Sequence, residues 1–153
     1  MNKKLVIYLK ILLLFSVLTS NIYASDVLKK VEEAYLHHDY DKAKQEFSSI
    51  PNGYNKYKST FKKMERYTRK FLETSDKVMQ EINNCKQSSY KCNQIETFFI
   101  KSDYEAHTTY ASYFSKEFQT KINSNYSKLV NSINEVNSAI VDKKNNEQML
   151  AEK

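Results

Sequence analysis

The chain has 153 residues, 24 Lys and Arg against 18 Asp and Glu, one Gly and one Pro. So little Gly and Pro counts against turn-rich β folds, and against the phosphate loops, oxyanion turns and nucleophile elbows that lean on Gly. The formal charge of +6 includes three lysines of a leader that the sequence marks for removal.

That leader has three parts. Met1-Asn2-Lys3-Lys4 is cationic, Leu5 to Leu18 is apolar apart from Lys10, and Asn21-Ile22-Tyr23-Ala24 ends on a small residue before Ser25. This is the order of a secretory signal peptide over residues 1–24. Its apolar run is shorter than the ~20 residues that span a bilayer. The alternative is an uncleaved N-terminal anchor; no Cys follows the run, which counts against a lipoprotein. Removing Lys3, Lys4 and Lys10 lowers the net charge from +6 to +3. The expectation is an exported protein, periplasmic or secreted, of bacterial more than eukaryotic source. Its single helical domain covers residues 25–153, and its charge is too small to argue for nucleic acid.

From Ser25 to His37 the spacing predicts a first helix, with Asp26 as cap and Val27, Leu28, Val31, Ala34 and Tyr35 as its apolar stripe. Asp39 caps a second, short helix with Tyr40, Ala43, Phe47 and Ile50 inward, and Pro51-Asn52-Gly53 ends it. A long third helix follows over Tyr54–Asn84. Its 4-3 frame is Tyr57, Phe61, Met64, Phe71, Val78, Ile82 and Cys85, with Thr68 and Ser75 in the polar slots. Asn93-Gln94-Ile95-Glu96 and Ser102-Asp103-Tyr104-Glu105 both read as capping boxes, bracketing a short fourth helix. The last helix is expected from Asp103 to about Val141, framed by Ile122, Tyr126, Leu129, Ile133, Val136 and Ile140. Its flanking positions Asn123, Asn125, Val130, Ser132, Asn137 and Ala139 carry no charge. Zippers choose partners by charges there, so this helix is read as packed inside its own bundle. Residues 143–153 read as a frayed polar tail.

Cys85 and Cys92 are the only cysteines. In an oxidising compartment such a pair reads as a structural disulfide. A redox pair is usually C-x-x-C, and a zinc site needs two further ligands. The fold class is therefore all-α: a bundle of about five helices with a long helical hairpin stapled by the disulfide.

His38-Asp39-Tyr40-Asp41-Lys42-Ala43, with Phe47 four residues on and Ala34-Tyr35 ahead, resembles the turn and second helix of a tetratricopeptide repeat. The resemblance covers residues 31–50. The turn is one residue shorter than the family pattern, Pro51 comes early, and no second copy follows at a period near 34 residues. It implies a helical hairpin of the kind protein-binding scaffolds use and carries no binding residues over.

The sharpest electrostatic feature lies in the first half of the third helix. Lys56, Lys58, Lys62, Lys63, Arg66, Arg69 and Lys70 accompany one acid, Glu65, with Tyr54, Tyr57, Phe61 and Tyr67 interleaved. The candidate binding residues are Lys62, Lys63, Arg66, Tyr67, Arg69 and Lys70, a basic aromatic face suited to an anionic partner. The competing reading is internal balance, with counter-charge from Asp26, Glu32, Glu33, Asp39, Asp41 and Glu46 of the first hairpin. His37-His38-Asp39 is the nearest thing to a metal set, but adjacent helical histidines point apart. His107 lies near Glu105 and Tyr110 with no recognisable nucleophile. Asn125-Tyr126-Ser127 matches a glycosylation sequon within a core stripe. No catalytic residue, metal or cofactor is assigned.

The functional expectation is a small exported, non-enzymatic helical protein that binds another macromolecule. One form is a periplasmic immunity or inhibitor protein. The partner is expected to be a protein, with an anionic envelope surface as the other candidate. The alternatives are a secreted membrane-active or host-directed helical protein and, behind both, an enzyme. The 12 tyrosines, a residue type favoured at interfaces with Arg, lean toward binding.

Overall fold

The computed structural model describes residues 25–50 and 58–152. The expected signal peptide, the Pro51-Asn52-Gly53 turn, Tyr54, Lys56 and Tyr57 lie outside the described residues. Five α-helices and no strand occur among the described residues, so the chain is all-α. None of these helices is long and apolar enough to cross a membrane. The chain divides into two compact units, Met1–Phe61 and Lys62–Lys153.

In the first unit, α1 (25–36) and α2 (Tyr40–Ser48) form a hairpin. Val27, Val31, Ala34 and Tyr35 of α1 and Ala43 and Phe47 of α2 are buried, while Leu28, Tyr40 and Ile50 are half-buried. The Tyr35 ring sits between Tyr40 and Phe47, with centroids 6.5 and 6.3 Å away. The turn needs a left-handed residue, and His38 supplies it at φ 58°. Asp39 N then donates to Ala34 O and His38 N to Tyr35 O, the paired bonds of a Schellman ending. Asp39 caps α2 by accepting from Lys42 N at 3.1 Å. The segment resembling a tetratricopeptide hairpin is thus a helical hairpin.

The second unit holds most of α3 (Lys58–Gln87), α4 (Phe98–Thr108), a 3-10 turn (Ala111–Tyr113) and α5 (Lys116–Ala151). Tyr67 meets Tyr110 and Thr74 meets Asp103, so α4 runs antiparallel to α3. Phe71 meets Tyr126 and Ser89 meets Lys143, so α5 runs parallel to α3. The stapled antiparallel hairpin is therefore α3 with α4. Cys85 in the last turn of α3 is bonded to Cys92 in the loop, with Cα atoms 5.5 Å apart. The core is most of the frame read from the sequence: Met64, Phe71, Val78, Ile82 and Cys85 of α3, with Thr68 beside them, and Ile122, Leu129, Ile133, Val136 and Ile140 of α5, while Phe61, Ser75 and Tyr126 of that frame are half-buried. Leu72, Ile95, Ile100, Phe114 and Phe118 complete it.

Several expectations are corrected. The helix expected from Asp103 to Val141 is two helices, broken at residues 109–115. Thr108 and Thr109 hydroxyls both donate to Glu105 O, competing with the helical ladder. Ser115 starts α5 afresh, its hydroxyl accepting from Phe118 N, and Gln119 Nε2 holds Phe114 O at the break. Ser102–Glu105 accordingly lies inside α4, not at its end. Asn93–Glu96 forms no cap box either. Thr97 is the N-cap, and the segment is pinned by Asn137, whose amide accepts from Ile95 N at 2.8 Å and donates to Ile95 O at 2.9 Å. At its far end α5 runs on past the last frame residue, Ile140, to Ala151, so residues 143–151, expected as a frayed tail, are helical.

Candidate functional site

The first turns of α3 within the second unit are built from Lys, Arg, Glu and Met, good helix formers. Met64, Thr68, Phe71 and Leu72 take the inward face. The long cations are left on the outer flank, where Lys62, Lys63 and Arg66 are exposed. Spacings of three and four residues place Lys62 and Lys63 beside Arg66. Among the described residues none of the three forms an ion pair. The Arg66 guanidinium lies over the Tyr67 ring, 5.9 Å from its centroid. Tyr67 stacks on Tyr110 at 5.6 Å with 15° between the planes. Tyr110 comes from the turn after α4, tied down by its N–H to His107 O at 2.9 Å.

The other two cations of the candidate set are engaged inside the unit. Arg69 Nε lies 3.3 Å from Glu65 and 3.9 Å from Glu73 on the same helix. Lys70 Nζ lies 2.7 Å from Asp103 Oδ1 on α4. The six residues thus divide into Lys62, Lys63 and Arg66 with the half-buried Tyr67, and a pair of cations, Arg69 and Lys70, that is ion-paired within the unit. Lys58 belongs to the first unit. Tyr110 joins the face from outside the candidate set.

Behind this face runs a polar seam between α3 and α4. Asp103 and His107, four residues apart on α4, both turn inward and are buried. Asp103 Oδ2 accepts from the Thr74 hydroxyl at 2.8 Å. His107 Nδ1 is 3.0 Å from Thr68 Oγ1, and its Nε2 is buried with no hydrogen-bond partner. Phe71, Tyr104 and Phe114 surround the imidazole, with ring centroids 5.7, 6.4 and 6.0 Å away. Burial lowers the His107 pKa from 6.5 to about 4, because so dry a site disfavours the cation. A Thr–His pair could in principle activate a hydroxyl, but Thr68 and His107 are sealed from solvent.

Elsewhere, the carboxylate of Asp39 is spent capping α2, and His38 Nδ1 lies 3.1 Å from the Tyr40 hydroxyl. No group of three or more His, Cys, Asp or Glu able to hold a metal ion occurs among the described residues. A groove of about 810 Å³ lies beside the disulfide, lined by Val78, Glu81, Ile95, Glu96 and Phe99 among others. Phe98 and Phe99 project next to it, 71% and 64% exposed.

Fold and site together define a small all-α protein with one basic, tyrosine-backed face. No family model matches the chain, and neither a curated protein nor a solved structure matches it.

Proposed function

We propose that this chain is a small exported, non-enzymatic helical protein that binds another protein through the face formed by Lys62, Lys63, Arg66, Tyr67 and Tyr110. The partner presents an acidic surface. The observation that carries this reading is the unpaired state of Lys62, Lys63 and Arg66 among the described residues. Like charges at three- and four-residue spacing cost a few tenths of a kcal/mol per pair in an isolated helix. An acidic partner turns that repulsion into attraction and faster association. The Tyr67–Tyr110 stack adds rigid aromatic area beside Arg66, a combination favoured at the centres of interfaces. Export is supported by the leader-like N-terminus and by the disulfide. For a bacterial source, a periplasmic inhibitor or immunity protein is one form that fits these features.

The exposed Phe98–Phe99 pair favours a second reading, attachment to an anionic membrane surface. One experiment separates the two. The Lys62→Glu, Lys63→Glu, Arg66→Glu triple variant is compared with the parent protein in capture from envelope extract and in sedimentation with phosphatidylglycerol vesicles. Capture of a protein that the variant loses, with its melting temperature unchanged, supports the first reading. Vesicle binding lost in the variant, without protein capture, supports the second. Unchanged capture and unchanged vesicle binding would remove the role of this face.

A further inference from the structure

We propose that His107 is an acid-sensitive latch on the aromatic half of this face: protonation of its ring loosens the last turn of α4 and draws Tyr110 away from Tyr67. The proposal rests on the functional reading only for the importance of the face it controls. The coupling is short. His107 O accepts from Tyr110 N at 2.9 Å, and Tyr110 stacks on Tyr67. The same residue therefore carries a buried imidazole on its side chain and the anchor of the stacked tyrosine on its backbone.

The imidazole site cannot hold a cation well. Its one hydrogen bond is to the Thr68 hydroxyl, and its Nε2 has no partner. The elements around it offer little compensation. On α3, Lys70 is cationic and committed to Asp103, and Glu65, three residues before Thr68, lies 3.3 Å from Arg69. On α4 the acid is Asp103, one turn away and already paired with Lys70 and Thr74; Tyr104 presents a ring, and Glu105 is exposed. The turn contributes Phe114 and the hydroxyl-bearing Tyr110. From α5 comes Tyr126, stacked on Tyr104 and held above its ordinary pKa first by burial, then by Tyr104 and Glu105. Phe118, also from α5, packs against Phe114 with the two ring planes tilted by 40°.

The sign follows from these surroundings. The closed form keeps His107 neutral down to about pH 4, whereas a ring released to water takes its proton near 6.5. Between those values the opening equilibrium rises close to tenfold per pH unit, about 300-fold in all. Below pH 4 both forms are protonated and the ratio levels off.

The test is amide hydrogen exchange of the exported chain, corrected for intrinsic rates, at pH 6.5, 5.5, 4.5 and below, in the parent protein and in His107→Phe. In the parent, the amides of residues 105–110 should be less protected than those of Ile133 and Val136. Their protection should fall by about 300-fold across the range, with loss of the near-ultraviolet tyrosine signal. In His107→Phe that fall should vanish. Equal protection of α4 and α5 at every pH would mean that α4 opens only with the whole unit, and would overturn the latch. So would a pH-independent opening, or the same fall in His107→Phe, which would assign the effect to Asp103. Should the variant not fold, the parent decides alone: a ring titrating near 6.5 by NMR while residues 105–110 stay protected overturns the proposal. None of these readouts needs a partner, so failure of the latch and failure of the binding reading are separate results.

Discussion

Thr68 Oγ1 and His107 Nδ1 lie 3.0 Å apart, both side chains buried, and join α3 to α4 across 39 residues of sequence. A hydroxyl and a neutral imidazole satisfy one another at the cost of one orphaned nitrogen, Nε2. Burying a polar atom without a partner costs about 1–3 kcal/mol. The aromatic rings packed around the imidazole offset that cost, since each aromatic pair contributes roughly 0.5–1.5 kcal/mol beyond its buried area. The joint is stable while the ring is neutral and weak once it is charged.

Stability should therefore depend on pH in a defined window. The folded pKa of His107, about 4, lies below the ordinary 6.5, so the unfolded chain takes up the proton first as pH falls. The contribution of this site is complete above pH 6.5, shrinks between 6.5 and 4, and stays constant below. The full loss is about 3 kcal/mol. Denaturant unfolding at pH 7.5, 5.5 and 4.5 should show the decline in the parent and a flatter profile in His107→Phe. A parent whose stability is the same at 7.5 and 4.5 would contradict the buried, neutral imidazole.

The Lys70–Asp103 pair should respond asymmetrically. The Lys70 side chain is 64% exposed and Asp103 only 8%. Removing Asp103 as Asp103→Asn leaves an ammonium that water solvates and an amide that can still accept from Thr74, at a cost of about 1 kcal/mol or less. Lys70→Ala leaves a buried carboxylate with Thr74 as its remaining partner, and should cost about 1–3 kcal/mol. Thermal melts of the two variants at neutral pH check the order. A larger loss for Asp103→Asn would show that the carboxylate is better solvated than its position implies.

The helical frames were legible because burial imposes a period. Ile122, Leu129, Ile133, Val136 and Ile140 fall where a 4-3 spacing puts them, and all are buried. The cysteine pair was legible from its isolation and short spacing. The break at residues 109–115 was not, because it contains no Gly or Pro and its signals are ordinary: a Thr-Thr pair and the N-cap Ser115. Reading through it fused α4 to α5. The polar seam was hidden for another reason. Apolar periodicity assigns Asp103 and His107 to solvent, and only their partners Lys70, Thr74 and Thr68 on a different helix turn them inward. The same holds for Asn137, an uncharged flank residue in the sequence and a clamp on Ile95 in the fold. Of the basic face, the charge density was readable. That Lys70 is tied to Asp103, and that Tyr110 backs Tyr67, depends on tertiary placement.

The staple at the end of α3 should matter more than its size suggests. The bond between Cys85 and Cys92 closes so short a loop that the chain-entropy model gives it about 2.5 kcal/mol. Reducing the protein, or replacing both residues with Ser, should lower stability by about that amount and loosen residues 88–97 first. The Asn137 clamp on Ile95 should hold the far half of the loop in place. Exchange protection at Ile95 that survives reduction, while protection at Tyr90 is lost, is the expected pattern. Unchanged stability on reduction would show that the clamp alone sets the loop.

The same loop starts with two left-handed residues, Ser89 at φ 53° and Tyr90 at φ 63°. Ser89 N donates to Lys86 O and Tyr90 N to Cys85 O, so α3 ends in the same Schellman pattern as α1, again without the glycine that usually occupies its left-handed position. A side chain there costs roughly 1–2 kcal/mol in the folded state. Glycine removes that cost but gives the unfolded chain more freedom, which offsets about 0.4–1 kcal/mol. The balance predicts that Ser89→Gly stabilises by about 0.5–1 kcal/mol. Ser89 O also accepts from Lys143 Nζ, a backbone contact that the substitution leaves intact, so the link to α5 should persist. His38→Gly, at the matching position of α1, should behave alike, less whatever the His38–Tyr40 hydrogen bond contributes. Denaturant midpoints of the two variants measure both effects. A loss of stability in Ser89→Gly would mean that the serine hydroxyl holds the loop more tightly than its backbone conformation strains it.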